Sequence, residues 1–209
     1  YRPDWIVAPA VAALDLAAPI DLGRGYLAAR RHGGAVAHAD LRLLLPTSGS
    51  LGSPRTVKLG AKGLAASLRQ VGATLAPNPA DRVLLALPFV HVYGLTTLLS
   101  HLAAGASILL SRESILSPAF GALCDHWRPT TLGGVAFTFD VMRRIGWRRL
   151  GATSLRTLTH SGDRLPLETA QWAARLWAEE GVAFHRMYGM TETTGRISVL
   201  APAELADHP

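Results

Sequence analysis

The sequence of 209 residues contains one cysteine, Cys124, and only 17% of its residues are charged. A single cysteine excludes both a disulfide within the chain and a zinc site built from several cysteines. It fits a reducing, cytoplasmic location. Hydrophobic residues make up 49% of the chain, which excludes the intrinsically disordered class. At this length a chain buries about 70% of its unfolded surface, so we expect a sizeable core.

Lysine is nearly absent, because 19 of the 21 basic residues are arginine, and the formal net charge is +6. Such a charge indicates nucleic-acid or phosphate binding, or it reflects a GC-rich coding sequence, since alanine, glycine and proline are also abundant. The arginines form nothing longer than doublets, whereas a nucleic-acid patch usually has a run of about five to eight basic residues. We therefore expect no nucleic-acid partner and keep a nucleic-acid binder as a third hypothesis.

The longest segment without Asp, Glu, Lys or Arg lies between Arg82 and Arg112. Its length is sufficient for a transmembrane helix, but proline and glycine residues interrupt it. We interpret it as strand, loop, helix and strand, and we expect no membrane span. The chain begins with Tyr1 and has no signal-peptide pattern, so we expect it to come from the interior of a longer protein.

Short apolar runs alternate with helical patterns along most of the chain. The predicted strands are Leu43–Pro46, Thr56–Leu59, Val83–Leu87, Ser107–Leu110, Thr131–Val135, Leu155–Thr159, Ala183–Met187 and Ile197–Leu200. The predicted helices are Lys62–Leu75, Leu95–Ala104, Pro118–Trp127, Phe139–Arg144 and Pro166–Glu180. Continuous apolar runs are typical of strands that are covered on both faces. The pattern predicts an α/β fold, a mostly parallel β-sheet with helices on both faces. The glycine-rich stretch Leu22–Asp40 is interpreted as a surface loop.

The most informative segment has the sequence PTSGSLGSPR and covers residues 46–55. Glycines let backbone amides approach an anion closely, hydroxyl groups donate to phosphate oxygens, and Arg55 adds a positive charge. The segment lacks the Gly-Lys-Ser/Thr ending of a Walker loop and the three-glycine spacing of a dinucleotide fingerprint. From composition alone, an ordinary Ser/Gly turn between two strands remains an alternative.

Two further segments favour a phosphate-binding loop over an ordinary turn. They are LPFVHVYG at residues 87–94 and YGMTETTG at residues 188–195. In this order and at about these spacings, the three segments resemble the AMP-forming adenylating enzymes, which include acyl-CoA synthetases, luciferases and adenylation domains of peptide synthetases. The resemblance extends from Leu43 to about Leu200. It implies that residues 1–209 are a partial AMP-binding domain, part of the large N-terminal domain of an adenylating enzyme. The C-terminal domain with its catalytic lysine would be absent, and the fragment would be inactive alone.

The resemblance implies that the first loop binds the β- and γ-phosphates of ATP. The residues that would do so are Thr47, Ser48, Gly49, Ser50, Gly52 and Arg55. This loop departs from the family pattern at Leu51, where a hydroxyl residue is usual, and at Arg55, where lysine is usual. Arginine keeps the charge but not the compact ammonium group, so we expect weaker or altered handling of ATP.

The resemblance also implies a nucleotide site near the end of the chain. Tyr188 would stack on adenine, while Gly189, Met190 and Thr191 would line the α-phosphate. Glu192 would help to hold Mg2+, a cation that prefers oxygen ligands and phosphates; the alternative is a solvated carboxylate at the start of a helix. The turn made by Ser161, Gly162 and Asp163 would lie against the other face of adenine.

His91 corresponds to a position near the carboxylate that is activated, where it could support that charge; the alternative is a buried core histidine. The segment Gly133–Phe139 resembles the one that lines the acyl pocket. Three further histidines match no motif and are interpreted as structural: His101, His126 and His185.

Together these features predict an AMP-forming acid–thiol ligase. It would use ATP and Mg2+ to convert a small carboxylic acid into an acyl-adenylate, with His91, Thr191 and Glu192 as the catalytic residues. The acyl group would pass to CoA or to the phosphopantetheine of an acyl-carrier protein. The second hypothesis is a non-catalytic module that binds a nucleotide or an acyl-adenylate.

Overall fold

The computed structural model describes residues 5–9, 20–23, 26–30, 38–47, 55–205 and 207. They belong to two units, one within residues 1–41 and one from residue 42 onward. The first unit contains β1 (Trp5–Pro9), β2 (Ile20–Gly23) and β3 (Tyr26–Arg30), which form an antiparallel sheet with β3 in the centre. The prediction of a surface loop over Leu22–Asp40 is therefore wrong for β3. β3 is held by hydrogen bonds to β1 and β2. The glycine content of the stretch itself does not reveal such pairing partners.

The second unit begins with a two-stranded sheet and continues as alternating helices and strands. The small sheet consists of β4 (Leu41–Pro46) and β5 (Thr56–Gly60). The remaining strands are β6 (Arg82–Leu85), β7 (Ser107–Leu110), β8 (Thr131–Gly134), β9 (Thr157–His160), β10 (Ala183–Tyr188) and β11 (Ser198–Leu200). The helices are α1 (Ala61–Leu75), α2 (Val92–Ala103), α3 (Pro118–Trp127), α4 (Ala136–Ile145) and α5 (Leu167–Glu180).

The six later strands form one sheet in the order β11-β10-β9-β8-β6-β7. Neighbouring strands from β10 to β7 are parallel, and only β11 runs antiparallel to its neighbour. The predicted mostly parallel sheet is confirmed. Every strand and helix predicted between residues 43 and 200 is present, with ends that differ by at most three residues. None of the helices that the structure describes has the length and apolar character needed to cross a membrane.

Helices cover both faces of this sheet, as two neighbouring residues of β9 show. The hydroxyl of Tyr93 on α2 contacts the side chain of Thr159, while the ring of Phe139 on α4 contacts the ring of His160. Because successive side chains of a strand point to opposite faces, α2 and α4 lie on opposite sides of the sheet.

The two faces differ in chemistry. On the α4 face, Leu132, Leu158 and Phe184 stand at matching positions of β8, β9 and β10, and all three are buried in the main hydrophobic core. One residue further along each strand, the α2 face presents Gly133, Thr159 and His185 at matching positions. The α4 face therefore carries the apolar core, and the α2 face carries a polar row.

Candidate functional site

Two of the cavities at the carboxyl ends of the parallel strands contain residues of the predicted nucleotide site, and this edge of an open α/β sheet is where ligands usually bind. The larger has a volume of about 660 Å³ and the smaller about 440 Å³. Both volumes lie within the usual range for small-molecule sites. Gly162, after β9, and Gly189, after β10, line both cavities, so the two spaces meet at these glycines.

The larger cavity brings together most of the residues predicted to contact adenine. Tyr188, Gly162 and Asp163 line it, together with Gly189, which is predicted to line the α-phosphate. The side chain of Tyr188 is 63% exposed, which leaves its ring accessible for stacking on a base. Ser161 of the same turn is buried and lines neither cavity. Its amide donates to the carbonyl of Gly134 instead.

The side chain of Asp163 has a structural task at this cavity. Its Oδ1 accepts a hydrogen bond at 2.9 Å from the backbone N–H of Ala136, the first residue of α4. It also accepts one at 3.0 Å from Nε2–H of His160. A carboxylate at a helix N-terminus is favourable because it complements the helix dipole. Asp163 thus ties the turn after β9 to the start of α4.

Burial keeps His160 neutral beside this carboxylate. The ring of His160 is 1% exposed, and this burial lowers its pKa although the hydrogen bond to Asp163 acts in the opposite direction. Nδ1 of His160 is buried and has no hydrogen-bond partner among the residues that the structure describes.

The smaller cavity collects the residues predicted to handle phosphate, metal and carboxylate. Thr47, His91, Met190, Thr191 and Glu192 all line it. They come from the residue after β4, the residue before α2 and the segment after β10, which are distant in sequence. His91 is exposed and precedes the first residue of α2, so the alternative of a buried core histidine is wrong.

The predicted phosphate loop is described only at its two ends. Thr47 donates to the carbonyl of Arg55 through its amide at 2.8 Å and through its hydroxyl at 3.3 Å. These bonds bring the ends of the loop together. Ser48, Gly49, Ser50 and Gly52 lie outside the described residues.

The segment from Tyr188 to Gly195 folds back on itself. The amides of Thr193 and Gly195 both donate to the carbonyl of Met190, and the buried hydroxyl of Ser67 on α1 donates to the carbonyl of Thr194 at 2.9 Å. A Cβ atom on Gly189 would collide with the backbone of Gly195 and Arg196. Glycine is therefore required at position 189 for this close approach of the backbone.

The donors around Glu192 fit Mg2+ held jointly with phosphate. Glu192 is exposed at the cavity and forms no ion pair with a described residue. The described residues contain no group of three or more His, Cys, Asp or Glu side chains that could hold a metal. Mg2+ usually takes one or two carboxylates and completes its shell with substrate phosphates and water. One carboxylate beside a hydroxyl, that of Thr191, matches this mode of binding.

The predicted acyl segment, residues 133–139, is divided between two environments. Gly133, Val135, Phe137 and Thr138 line a neighbouring cavity of about 350 Å³, and Val135 also lines the smaller of the two cavities described above. Phe139 does not line any of them, because it is fully buried against Phe184 in the core.

Three of the cavity residues that sequence reasoning did not assign to the site are charged or aromatic. Arg164 and Arg186 line the larger cavity, and Tyr93 lines the smaller one. Arg186 could have been found, because it stands two residues before Tyr188 on β10 and so shares its face. Tyr93 stood in a recognised segment, but its hydroxyl partner Thr159 is 66 residues away.

Comparison with known proteins gives a consistent result. The family model described as AMP-binding enzyme matches residues 13–209. A feruloyl-CoA synthase of an Amycolatopsis species is 30% identical over 171 residues, which are 80% of this chain and 34% of that protein. A 2-succinylbenzoate–CoA ligase of Bacillus pumilus is 28% identical over 159 residues, 76% of this chain and 31% of that protein.

A solved structure of a CoA synthetase also matches the fold of this chain. The O-succinylbenzoate coenzyme A synthetase of Bacillus subtilis, in complex with ATP and a magnesium ion, superposes with a TM-score of 0.64 at 26% identity. The match covers 76% of this chain and 32% of that one. The chain thus spans about a third of the length of the curated relatives it matches.

Proposed function

The chain belongs to the AMP-binding enzyme family, and from this premise we propose that it carries the nucleotide site of an AMP-forming acid–thiol ligase. The observation that carries the proposal is the convergence of Thr47, His91, Thr191 and Glu192 on one cavity that joins the cavity of Tyr188 at Gly162 and Gly189. The relatives that match are ligases and synthetases that form CoA esters of carboxylic acids.

The reaction has two steps. A carboxylate oxygen attacks the α-phosphorus of ATP and displaces pyrophosphate, which gives an acyl-adenylate. A thiolate then attacks the acyl carbonyl carbon and displaces AMP, which gives a thioester. In the first step two anions must approach each other, so the site has to supply positive charge and hydrogen-bond donors. Mg2+ would neutralise phosphate charge when bound.

The residues of the chain would divide this work by position. Adenine would lie between Tyr188 and the turn at Gly162 and Asp163, and the backbone from Gly189 to Thr191 would face the α-phosphate. Glu192 would hold Mg2+, and Arg55 at the loop end would neutralise the outer phosphates together with Thr47, Ser48, Gly49, Ser50 and Gly52. His91 would lie beside the substrate carboxylate.

The proposal includes the thiol acceptor and the location. CoA is the acceptor named for the relatives, and the phosphopantetheine of an acyl-carrier protein presents the same thiol. We place the reaction in the cytoplasm, where ATP and CoA are supplied. We further propose that residues 1–209 are part of a larger adenylation domain and that the catalytic lysine lies outside them.

Calorimetric titration of the chain with AMP tests the nucleotide site. We expect AMP to bind, and Tyr188→Ala to weaken binding about tenfold or more, because stacking a base on an aromatic side chain contributes about 1–3 kcal/mol. Trp127→Ala is the matched control: Trp127 is an exposed aromatic residue beside Arg82, where β6 begins, and so lies at the opposite end of the sheet. No heat with AMP, or equal losses in both variants, contradicts the proposal.

Titration with ATP tests the metal site separately. We expect Mg2+ to increase the affinity for ATP and Glu192→Gln to remove most of that gain, because the amide lacks the negative charge that attracts a hard cation. AMP binding without Mg2+ serves as the internal control. An undiminished Mg2+ effect in Glu192→Gln would exclude Glu192 as a ligand.

A further inference from the structure

One part of the interface between α2 and the sheet is built from small and polar residues, beside the buried apolar side chains of Val83 and Leu85 on β6. The sheet contributes the row of Gly133, Thr159 and His185. The buried residues of α2 that the structure describes are Gly94, Thr96, Thr97, Ser100 and His101. A polar layer inside a protein is stable only when its groups find partners.

Tyr93 and Thr159 account for one part of this layer. The hydroxyl of Tyr93 donates to the carbonyl of Thr159 at 2.6 Å and lies 2.8 Å from the Thr159 hydroxyl. Burial raises the pKa of Tyr93, so the phenol stays protonated and can donate. Gly133 leaves room for it, because a Cβ atom there would come within 3.1 Å of the Tyr93 oxygen.

Arg196 is the group in this layer that lacks a partner. Its Nη1 is buried, and it forms no hydrogen bond or ion pair with any residue that the structure describes. Burial lowers the pKa of Arg196 and Tyr93 acts in the opposite direction, and no ion pair among the described residues joins Arg196 to a carboxylate. A buried guanidinium nitrogen without a partner is costly, and proteins usually pair such groups.

His185 adds a second unsatisfied polar atom next to Arg196. Nδ1 of His185 is buried without a hydrogen-bond partner among the described residues. Burial lowers the pKa of His185, and the charge of Arg196 lowers it further, so the ring is neutral near pH 7 and presents one donor and one acceptor. The layer thus contains a cationic group, Arg196, close to a neutral imidazole, His185.

This place adjoins the smaller cavity. Tyr93, whose hydroxyl bonds to Thr159 next to His185 on the sheet, lines that cavity together with Val92 and His91. Gly195, the residue before Arg196, packs against Val92 and Thr96 on the first turns of α2. Arg196 and His185 are not among the residues that line this cavity, so a molecule with one end beside His91 would have to extend past Tyr93 to reach them.

We propose that Arg196 is a specificity-determining residue that binds a second carboxylate of the acid substrate, which makes a short dicarboxylic acid the preferred substrate class. The inference rests on the proposed function and deepens it. The arginine side chain supplies two parallel N–H donors that match a carboxylate, and His185 supplies a further hydrogen bond. A monocarboxylic acid of the same length would leave the buried guanidinium without a counter-charge.

The test compares non-hydrolysable acyl-sulfamoyl-adenosine mimics in calorimetric titrations of the chain. The succinyl and glutaryl mimics carry the second carboxylate, and the butyryl and valeryl mimics are their counterparts with a terminal methyl group. We expect at least one member of the first pair to bind about tenfold or more tightly than its counterpart, because a hydrogen bond to a charged group discriminates by about this factor. Equal binding within both pairs overturns the inference.

Three variants assign the preference to Arg196. Arg196→Met should bring the affinity ratio close to one, and Arg196→Lys should keep part of it because the charge remains. Arg82→Met is the matched control, since the guanidinium of Arg82 donates to the carbonyls of Trp127 and Arg128 at the amino end of β6. It should lower stability and leave the ratio unchanged. A ratio that survives Arg196→Met overturns the inference.

Stability and AMP binding distinguish the remaining explanations. Removing an unpaired buried charge should leave the midpoint of urea unfolding of Arg196→Met unchanged or raise it. A lower midpoint together with lost AMP binding would show that Arg196 only supports the fold and would overturn the inference. If AMP binds to the wild type and the mimics show no preference, this inference alone fails; if AMP does not bind, the proposed function fails with it.

Discussion

Replacement of Asp163 by alanine tests how the turn after β9 is held. The substitution removes the acceptor for the N–H of Ala136 and for Nε2–H of His160. A hydrogen bond to a charged group contributes about 1.5–3 kcal/mol, and the side chain of Asp163 is 46% exposed, which places both bonds at the low end. His160 would also be left with two unsatisfied nitrogens inside the protein.

We therefore expect Asp163→Ala to lower the free energy of unfolding by about 2–3 kcal/mol, which is a fall in Tm of roughly 5–10 °C for a chain of this size. Urea unfolding followed by tryptophan fluorescence measures it. Asp163→Asn should lose less than half as much, because its amide oxygen can still accept. Glu192→Ala, an exposed carboxylate without an ion pair among the described residues, should stay within about 0.5 kcal/mol of the wild type. A loss below about 0.5 kcal/mol for Asp163→Ala would refute this reasoning.

Three more outcomes follow from buried features of the second unit. Gly189→Ala should abolish AMP binding in calorimetry, because the new methyl group would collide with the backbone of Gly195; normal affinity would show that the segment tolerates the shift. Phe139→Ala should lower the free energy of unfolding, measured in urea, by about 3–5 kcal/mol, since the ring is fully buried. A loss near 1 kcal/mol would mean that neighbouring side chains fill the cavity. Burial lowers the pKa of His101, His160 and His185, so the unfolded chain binds more protons and the free energy of unfolding should fall as pH drops below about 6.5. A flat profile between pH 7 and pH 5 in urea midpoints would contradict this.

The sheet could be predicted because short apolar runs alternate with helical patterns along the chain. Leu132, Leu158 and Phe184 on its strands are buried in the same core as residues of α4 and α5. The motif segments could be predicted because each places its special residues close together in sequence. The antiparallel strands before residue 31 could not, since β3 pairs with two strands whose signal is weak in isolation.

The polar layer beneath α2 could not be predicted either. His185 matched no motif and was interpreted as structural, and Arg196 follows the recognised segment without belonging to it. Their relation depends on the docking of α2, which brings Tyr93 to Thr159 across 66 residues. Contacts of this kind arise from packing rather than from local pattern, so the composition of the layer becomes visible only in the folded chain.

A crystal structure of the chain with AMP tests the central claim most directly. The account predicts adenine between the ring of Tyr188 and the backbone of Gly162 and Asp163, with the α-phosphate at Gly189–Thr191 where the two cavities meet. Electron density for AMP anywhere else on the molecule, or adenine in the cavity beside His91, would contradict it.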